Sequence, residues 1–316
     1  MNRIIYVFPG QGSQSIGMAR EIYSGFPEAR RTFDHASHML DADIVEMCLC
    51  DPEKGHFDRM FSDPMNAHPA LFVTSSAYFN VLRKNCDKEC YAALGNSFGQ
   101  YTALYAVDAI DFDDNMGLVK KRAEYMKECA EGTNMAAIIG RKAIDQNDMS
   151  DILNLSGTEI ALINSDRQLV LAGSKENVLK ACKIAKMQGY KTLPIKIQGS
   201  SHASHMKPAS KKLRAYLESV NIRDSRKPII ANSSASYISE PDEIRVELEK
   251  HLYMPVLFRD CIKKSIDDGA DTFIEIGPGN TFSEMIKRDY PQITTFNMKD
   301  KYSIENTLRS LQKSQA

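Results

Sequence analysis

Three short apolar runs, each ending in a glycine-rich turn, constrain the fold of this chain more than any other feature. The runs and their turns are residues 3–8 before Pro9-Gly10-Gln11-Gly12, residues 90–94 before Gly95, and residues 271–276 before Gly277-Pro278-Gly279. Short apolar runs bounded by turn residues are typical of buried strands. Because helical patterns over residues 27–40, 67–84 and 112–130 surround these runs, the sequence predicts an α/β fold.

A second pattern occupies the middle of the chain, from about residue 134 to residue 197. Predicted strands and helices follow one another there in the order βαββαβ, which is typical of a ferredoxin-like unit. At 316 residues the chain is also near the upper limit for one compact unit. We therefore predict a hydrolase-like large domain with a parallel-sheet core, residues 1–131 and 200–316, and an inserted ferredoxin-like small domain, residues 132–199.

Charge and hydropathy exclude several classes of protein. Forty basic and 41 acidic residues give a net charge of -1, which supplies no global field for nucleic acid or an anionic membrane. No stretch approaches the roughly 18 apolar residues that span a bilayer, and the first residues lead into a turn rather than a secretion signal. We therefore expect a cytoplasmic protein. The seven cysteines lack zinc-like spacing, so neither a metal site nor a disulfide is predicted.

The segment Gly95-Asn96-Ser97-Phe98-Gly99 fits the pattern Gly-x-Ser-x-Gly and lies between a predicted strand and a predicted helix. That context is typical of a nucleophile elbow, in which a sharp turn presents the serine hydroxyl. Neighbours without a Cβ atom permit the turn, and the N-terminus of the following helix favours developing negative charge. The alternative is a Gly-Ser turn without chemistry.

A serine nucleophile needs a base, and two histidines near the predicted end of the small domain are candidates. His202 and His205 lie in the segment of residues 199–208, and domain junctions are where sites form. Their spacing in the sequence does not choose between them, and either could be a surface or core histidine.

Arg122 is the one cation predicted to point inward from its helix. It shares a helical face with Leu118, Tyr125, Met126 and Cys129, while the neighbouring lysines occupy other positions. A buried guanidinium needs an anion, because an unpaired buried charge costs several kcal/mol. The anion is either an internal carboxylate or the carboxylate of a substrate, which arginine would bind through two hydrogen bonds.

Together these segments resemble the malonyl-CoA:acyl-carrier-protein transacylases, and the resemblance covers nearly the whole chain. The similar segments are residues 7–14, 95–100, the helix of Arg122, residues 164–173, residues 201–208 and residues 275–279. Residues 201–208 resemble the catalytic-histidine segment of that family, and this resemblance favours His202 over His205. The discrete, trans-acting acyltransferases of polyketide synthases belong to the same family.

The resemblance implies a two-step mechanism through an acyl-enzyme. Ser97 and His202 would be catalytic, the backbone N–H groups of Gln11 and Phe98 would form the oxyanion hole, and Arg122 would bind the malonyl carboxylate. Asn96 and the Gln11 side chain are the further predicted substrate-binding residues. A backbone carbonyl near residues 253–255 would orient the histidine. The implied partners are malonyl-CoA and the phosphopantetheine arm of an acyl carrier protein, with no cofactor, metal, nucleic acid or membrane, and the protein is expected to be a monomer.

Four residues depart from the family pattern. Asn96 replaces a histidine, Gln100 a glutamate, His68 a glutamine and Met254 an asparagine. None of them removes a predicted catalytic group. They favour a specialised enzyme of polyketide biosynthesis over one of fatty-acid synthesis.

Two alternatives to malonyl transfer remain at this stage. One is an acyl hydrolase of the same fold that clears acyl groups from carrier proteins, and Arg122 argues against it because such hydrolases usually replace that arginine. The other is an inactive docking domain, which the filled serine, histidine and oxyanion-loop positions disfavour. A run of six lysines against one acid, Glu176, between residues 175 and 196 predicts a docking surface for an acidic carrier protein, or a solvated helix face.

Overall fold

Two sheets organise the chain, which a computed structural model describes over residues 3–40, 44–49 and 57–313. The strands of these residues are β1 (Ile4–Phe8), β2 (Ala92–Gly95), β3 (Thr133–Ile139), β4 (Glu159–Ser165), β5 (Gln168–Ser174), β6 (Lys191–Pro194), β7 (Ile229–Ile230), β8 (Tyr237–Ile238), β9 (Thr272–Glu275) and β10 (Thr294–Asn297). Their helices are α1 (Arg20–Gly25), α2 (Pro27–Leu40), α3 (Ile44–Leu49), α4 (Phe57–Ser62), α5 (Pro64–Asn85), α6 (Gly99–Ala106), α7 (Phe112–Cys129), α8 (Gln146–Ser156), α9 (Lys175–Met187), α10 (Lys207–Leu217), α11 (Pro241–Lys250), α12 (Phe258–Asp267), α13 (Thr281–Asp289) and α14 (Lys301–Lys313).

The larger sheet has the strand order β10-β9-β1-β2-β7-β8. Its strands are parallel except β8, which pairs antiparallel with β7. Every residue of β1 is buried, because Ile4, Tyr6 and Phe8 face one apolar core and Ile5 and Val7 face another. Since the carboxyl ends of parallel strands meet at one edge of a sheet, the turns that follow β1 and β2 lie side by side.

The smaller sheet is antiparallel and has the order β4-β5-β3-β6. One of its faces packs on α8 and α9, through a cluster that includes Ile138, Ile152 and Leu171. Its other face joins a core of the large sheet through residues such as Met135 and Val170. The predicted combination of a parallel-sheet core and a small βαββαβ unit is confirmed, while the domain boundaries at residues 131 and 200 stay a prediction.

The helices that carry the candidate site are α5, α6, α7 and α11. Helix α7 begins where the Asp111 side chain accepts a hydrogen bond from the backbone N–H of Asp114, as an N-cap residue does. Helix α5 is buried over most of its 22 residues. In the part of the chain that the structure describes, no helix is long and apolar enough to cross a membrane.

Candidate active site

Ser97 lies in a tight turn between β2 and α6, as the sequence predicts. Its φ angle is 50°, a strained value for a residue with a side chain. Two glycines let the turn pack against the end of β1. A Cβ on Gly99 would lie 2.1 Å from the carbonyl oxygen of Phe8, and one on Gly10 would lie 2.3 Å from that of Asn96. The loop after β1 is thereby brought against the serine.

His202 is the histidine that the structure places on Ser97. Its Nε2 lies 2.6 Å from Ser97 Oγ, and its backbone N–H donates to the carbonyl of Leu252 at 2.8 Å. Burial, with a smaller contribution from Arg122, lowers the pKa of His202 to about 3, although the backbone carbonyls of His251 and Met254 act to raise that pKa. The imidazole is therefore neutral near pH 7 and can accept the serine proton.

His205, the rival candidate, faces another partner. Its Nε2 lies 3.0 Å from the hydroxyl of Ser200. The structure thus pairs Ser97 with His202 alone of the two histidines.

The two predicted oxyanion donors are free to bind a ligand. Throughout residues 3–40, 44–49 and 57–313, no group accepts a hydrogen bond from the backbone N–H of Gln11 or Phe98. Phe98 follows Ser97 directly and precedes the first residue of α6, so its N–H belongs to the unpaired first turn of that helix. Such N–H groups stabilise negative charge on a reacting carbonyl oxygen.

Arg122 is buried without an acidic partner. Only 1% of its surface is exposed, and across the described residues no carboxylate lies within ion-pair distance of it. Its guanidinium lies over the rings of Phe98 and Tyr101, 5.7 and 5.4 Å from their centroids. Burial lowers the pKa of Arg122, while Tyr101 acts to raise it. Within residues 3–40, 44–49 and 57–313, this cation thus lacks the internal anion that the sequence left open.

His68 joins Arg122 to Gln11. Its ring stacks on Phe98 with 4.4 Å between the centroids, and its nitrogens lie 3.3 Å from an amino group of Arg122. Its Nε2 lies 3.2 Å from Gln11 Oε1. Since that oxygen only accepts, Nε2 donates to it, which leaves Nδ1 as the nitrogen that can accept from the arginine. Burial, followed by Arg122, holds the pKa of His68 well below its usual range. The amide nitrogen of Gln11 is buried and has no hydrogen-bond partner among the residues that the structure describes.

Two other departures from the family pattern have partners that suit them. The Asn96 amide donates to Asn164 Oδ1 on β4 at 3.3 Å, which joins the turn to the small sheet. Gln100 accepts from the backbone N–H of Gly95 at 3.0 Å and donates to the carbonyl of Ile230 at 3.1 Å. An ionised glutamate could accept from Gly95 but could not donate to Ile230. Met254, the fourth departure, is 37% exposed.

Sequence reasoning missed three buried residues around the turn. Asn232 accepts from the backbone N–H of Ser97 at 3.0 Å and lies 3.2 Å from His251, while Glu247 accepts from the backbone N–H of Asn232 at 2.7 Å. They come from residues 232–251, more than 130 positions after Ser97. Nothing near them in the sequence indicates that they pack around Ser97 and His202.

Comparisons with known proteins identify the family of the chain. The family model described as "Acyl transferase domain" matches residues 5–315. The malonyl CoA-acyl carrier protein transacylase of Bacillus subtilis (strain 168) is 35% identical over 317 residues, which cover 98% of both chains. The chain belongs to the malonyl-CoA:acyl-carrier-protein transacylase family.

Solved structures of transacylases have the same fold. The malonyl CoA-acyl carrier protein transacylase of Clostridium perfringens superimposes with a TM-score of 0.89 at 30% identity, covering 99% of this chain and 98% of that one. A malonyl-transacylase solved in complex with its type II polyketide synthase acyl-carrier protein superimposes with a TM-score of 0.90 at 29% identity, covering 98% and 99%. The similarity to these transacylases therefore extends over both sheets.

Proposed function

We propose that this transacylase moves a malonyl group from malonyl-CoA to the phosphopantetheine thiol of an acyl carrier protein. His202 Nε2 takes the proton of Ser97 Oγ, which attacks the thioester carbonyl, and the coenzyme A thiol leaves with that proton. The carrier thiol then gives its proton to His202 and attacks the ester on Ser97. Ser97 Oγ leaves with the proton, so the enzyme is regenerated.

The observation that carries this proposal is the buried Arg122, which lies near the Ser97–His202 pair and has no carboxylate partner in the described part of the chain. The pair supplies a nucleophile and a neutral base at 2.6 Å, which fits any acyl transfer. The unpaired guanidinium adds a preference for an acyl group that ends in a carboxylate. The unpartnered amide nitrogen of Gln11 is a second donor for the bound acyl group. A hydrolase of neutral acyl groups would have no use for such a cation.

Transfer itself is tested with malonyl-CoA carrying radiolabel in the malonyl group. Label is expected first on the protein and, after phosphopantetheinylated carrier protein is added, on the carrier. Gel separation after denaturation follows both steps. Label that leaves the enzyme for water at the same rate with and without carrier would instead identify the acyl hydrolase.

We further propose a carrier protein of a polyketide synthase as the acceptor. The departures at His68, Asn96, Gln100 and Met254 support this choice, because they separate the chain from the usual pattern of the fatty-acid enzymes. Parallel assays with a polyketide carrier and a fatty-acid carrier, compared by kcat/KM, distinguish the two acceptors. The prediction of a cytoplasmic monomer without cofactor or metal belongs to the same proposal.

The carrier is proposed to dock on the exposed surface of residues 175–196, which include α9, β6 and the two residues after β6 and which we name the lysine face. Its six lysines, at positions 175, 180, 183, 186, 191 and 196, are all exposed. Three apolar side chains beside them, Leu179, Met187 and Leu193, are between 53% and 88% exposed. Exposed apolar side chains among like charges are typical of an interface. An acidic partner fits the charge of this face.

Replacing Lys183 and Lys186 together by glutamate is expected to raise the KM for carrier protein and to weaken its dependence on salt. Rim charges act mainly on the encounter of two proteins, so acylation by malonyl-CoA should not change. The matched control reverses Lys84 and Lys211, which are exposed on α5 and α10 and give the same change in net charge. Equal carrier kinetics in both double variants would exclude the lysine face as the docking surface.

A further inference from the structure

Ser97 and His202 share an unusual backbone conformation. Among the residues that the structure describes, four other than glycine have positive φ angles, and Ser97 at 50° and His202 at 60° are two of them. Such strained conformations persist only where the surroundings hold them in place. Asn232 contacts Ser97 directly and is linked to His202 through His251.

The Asn232 side chain is fixed by its backbone partners. Its Nδ2 donates to the carbonyl of Gly95 at 2.8 Å, so its Oδ1 is the atom that accepts from the N–H of Ser97 at 3.0 Å. The same oxygen lies 3.2 Å from His251 Nε2. Because the oxygen can only accept, His251 must carry its proton on Nε2. Asn232 is fully buried, which makes these bonds costly to break.

His251 contacts both Asn232 and the ring of His202. The two rings pack edge to face with centroids 5.0 Å apart, and the next residue, Leu252, accepts from the N–H of His202. Burial, followed by the nearby His202 and Arg122, holds the pKa of His251 well below its usual range. His251 therefore packs against His202 as a neutral ring.

Glu247 closes the network through α11. Its side chain accepts from the backbone N–H groups of Asn232 and Ser233 at 2.7 and 3.2 Å, and its backbone carbonyl accepts from the N–H of His251 at 2.7 Å. Burial raises the pKa of Glu247, while these hydrogen bonds act to lower it. One turn at the end of α11 thus fixes both Asn232 and His251.

We propose that Asn232 and His251 are positioning residues that hold the nucleophile and the base in register. Asn232 fixes the backbone of Ser97, and His251, aligned by Asn232, packs against the ring of His202, whose backbone N–H donates to the next residue, Leu252. Neither residue touches the reacting atoms. This inference rests on the proposed acyl transfer through Ser97. It adds which residues maintain the 2.6 Å contact between Ser97 Oγ and His202 Nε2.

The test separates the hydrogen bond of His251 from its ring. His251→Phe keeps an aromatic ring against His202 but loses the donor to Asn232, whereas His251→Gln keeps an amide donor. The maximal rate of acylation by malonyl-CoA, measured in a single turnover, is expected to fall about 10- to 100-fold in His251→Phe, as for a small misplacement of reacting groups. The malonyl-CoA concentration at half-maximal rate should change less than about twofold, because the acyl pocket is intact. His251→Gln should recover most of the rate.

Two further variants complete the experiment. Asn232→Ala should lower the acylation rate more than His251→Phe does, because it also removes the acceptor of the backbone N–H of Ser97. Ser210→Ala removes a partly buried hydrogen bond from α10 to Glu249 of α11, outside the network, and should lower thermal stability without lowering the acylation rate. The proposal is overturned if His251→Phe acylates as fast as wild type, if His251→Gln is as slow as His251→Phe, or if Ser210→Ala is equally slow. Failure of wild type to take label would instead reject the proposed acyl transfer.

Discussion

Alanine at position 97 is expected to abolish covalent labelling of the protein by malonyl-CoA. The proposed acyl ester forms on Ser97 Oγ, and alanine has no atom that could carry it. Malonyl transfer to a carrier protein should fall to the background rate for the same reason. The measurement is retention of radiolabel by the denatured protein on a gel, with folding checked by circular dichroism.

Alanine at position 202 is expected to slow acylation by about 10²- to 10⁴-fold, the range typical of lost general-base assistance. Label should still accumulate at long times, because Ser97 Oγ remains. When both residues are replaced, the loss should equal that of Ser97→Ala alone, since the two side chains act as one unit. Single-turnover rates measure each effect.

His205→Ala is the matched control for the base. It removes the same side chain from the same segment, but its ring contacts the hydroxyl of Ser200 and not that of Ser97. Its acylation rate should stay close to that of wild type. A requirement for His205, or label on the Ser97→Ala protein, would contradict the proposed roles.

The parts of this site that the sequence predicted are local in the chain. Residues 95–99 carry a strand end, a turn and a helix start within five positions, so the pattern needs no knowledge of the rest of the fold. Helix α7 has 18 residues, which is long enough for its apolar face to be recognised in the sequence. Arg122 lies on that face, so the sequence predicts that it is buried. The βαββαβ order likewise predicts the small unit, because the hydrophobic periodicity of each strand and helix can be recognised within that element.

The parts that sequence could not predict depend on contacts between distant segments. Asn232 reaches Ser97 because β7 pairs with β2 in the sheet, and β7 has only two residues. A strand that short leaves no periodicity to recognise. His251 is one of seven histidines, and nothing near it in the sequence indicates that it packs against His202. The sequence singled out His68 and Gln100 as departures, but their partners were visible only in three dimensions.

Arg122→Ala is expected to invert or remove the selectivity between malonyl-CoA and acetyl-CoA. The malonyl carboxylate would enter the pocket without its cation, and loss of one partner of a buried ion pair costs about 3–5 kcal/mol. That cost corresponds to a decrease in kcat/KM for malonyl-CoA of about 10²-fold or more. Acetyl-CoA has no carboxylate, so its kcat/KM should be unchanged or higher.

The same variant distinguishes a substrate-binding arginine from a structural one, because the guanidinium is buried and has no carboxylate partner among the described residues. A structural ion pair would leave an internal acid unpaired in Arg122→Ala, and both substrates would then lose rate together with thermal stability. A substrate-binding arginine leaves no such acid, so the ligand-free protein should keep its stability while malonyl transfer alone declines. Arg122→Lys serves as the second variant. It keeps the charge but loses the planar pair of donors, and its malonyl kcat/KM should therefore lie between those of Arg122→Ala and wild type.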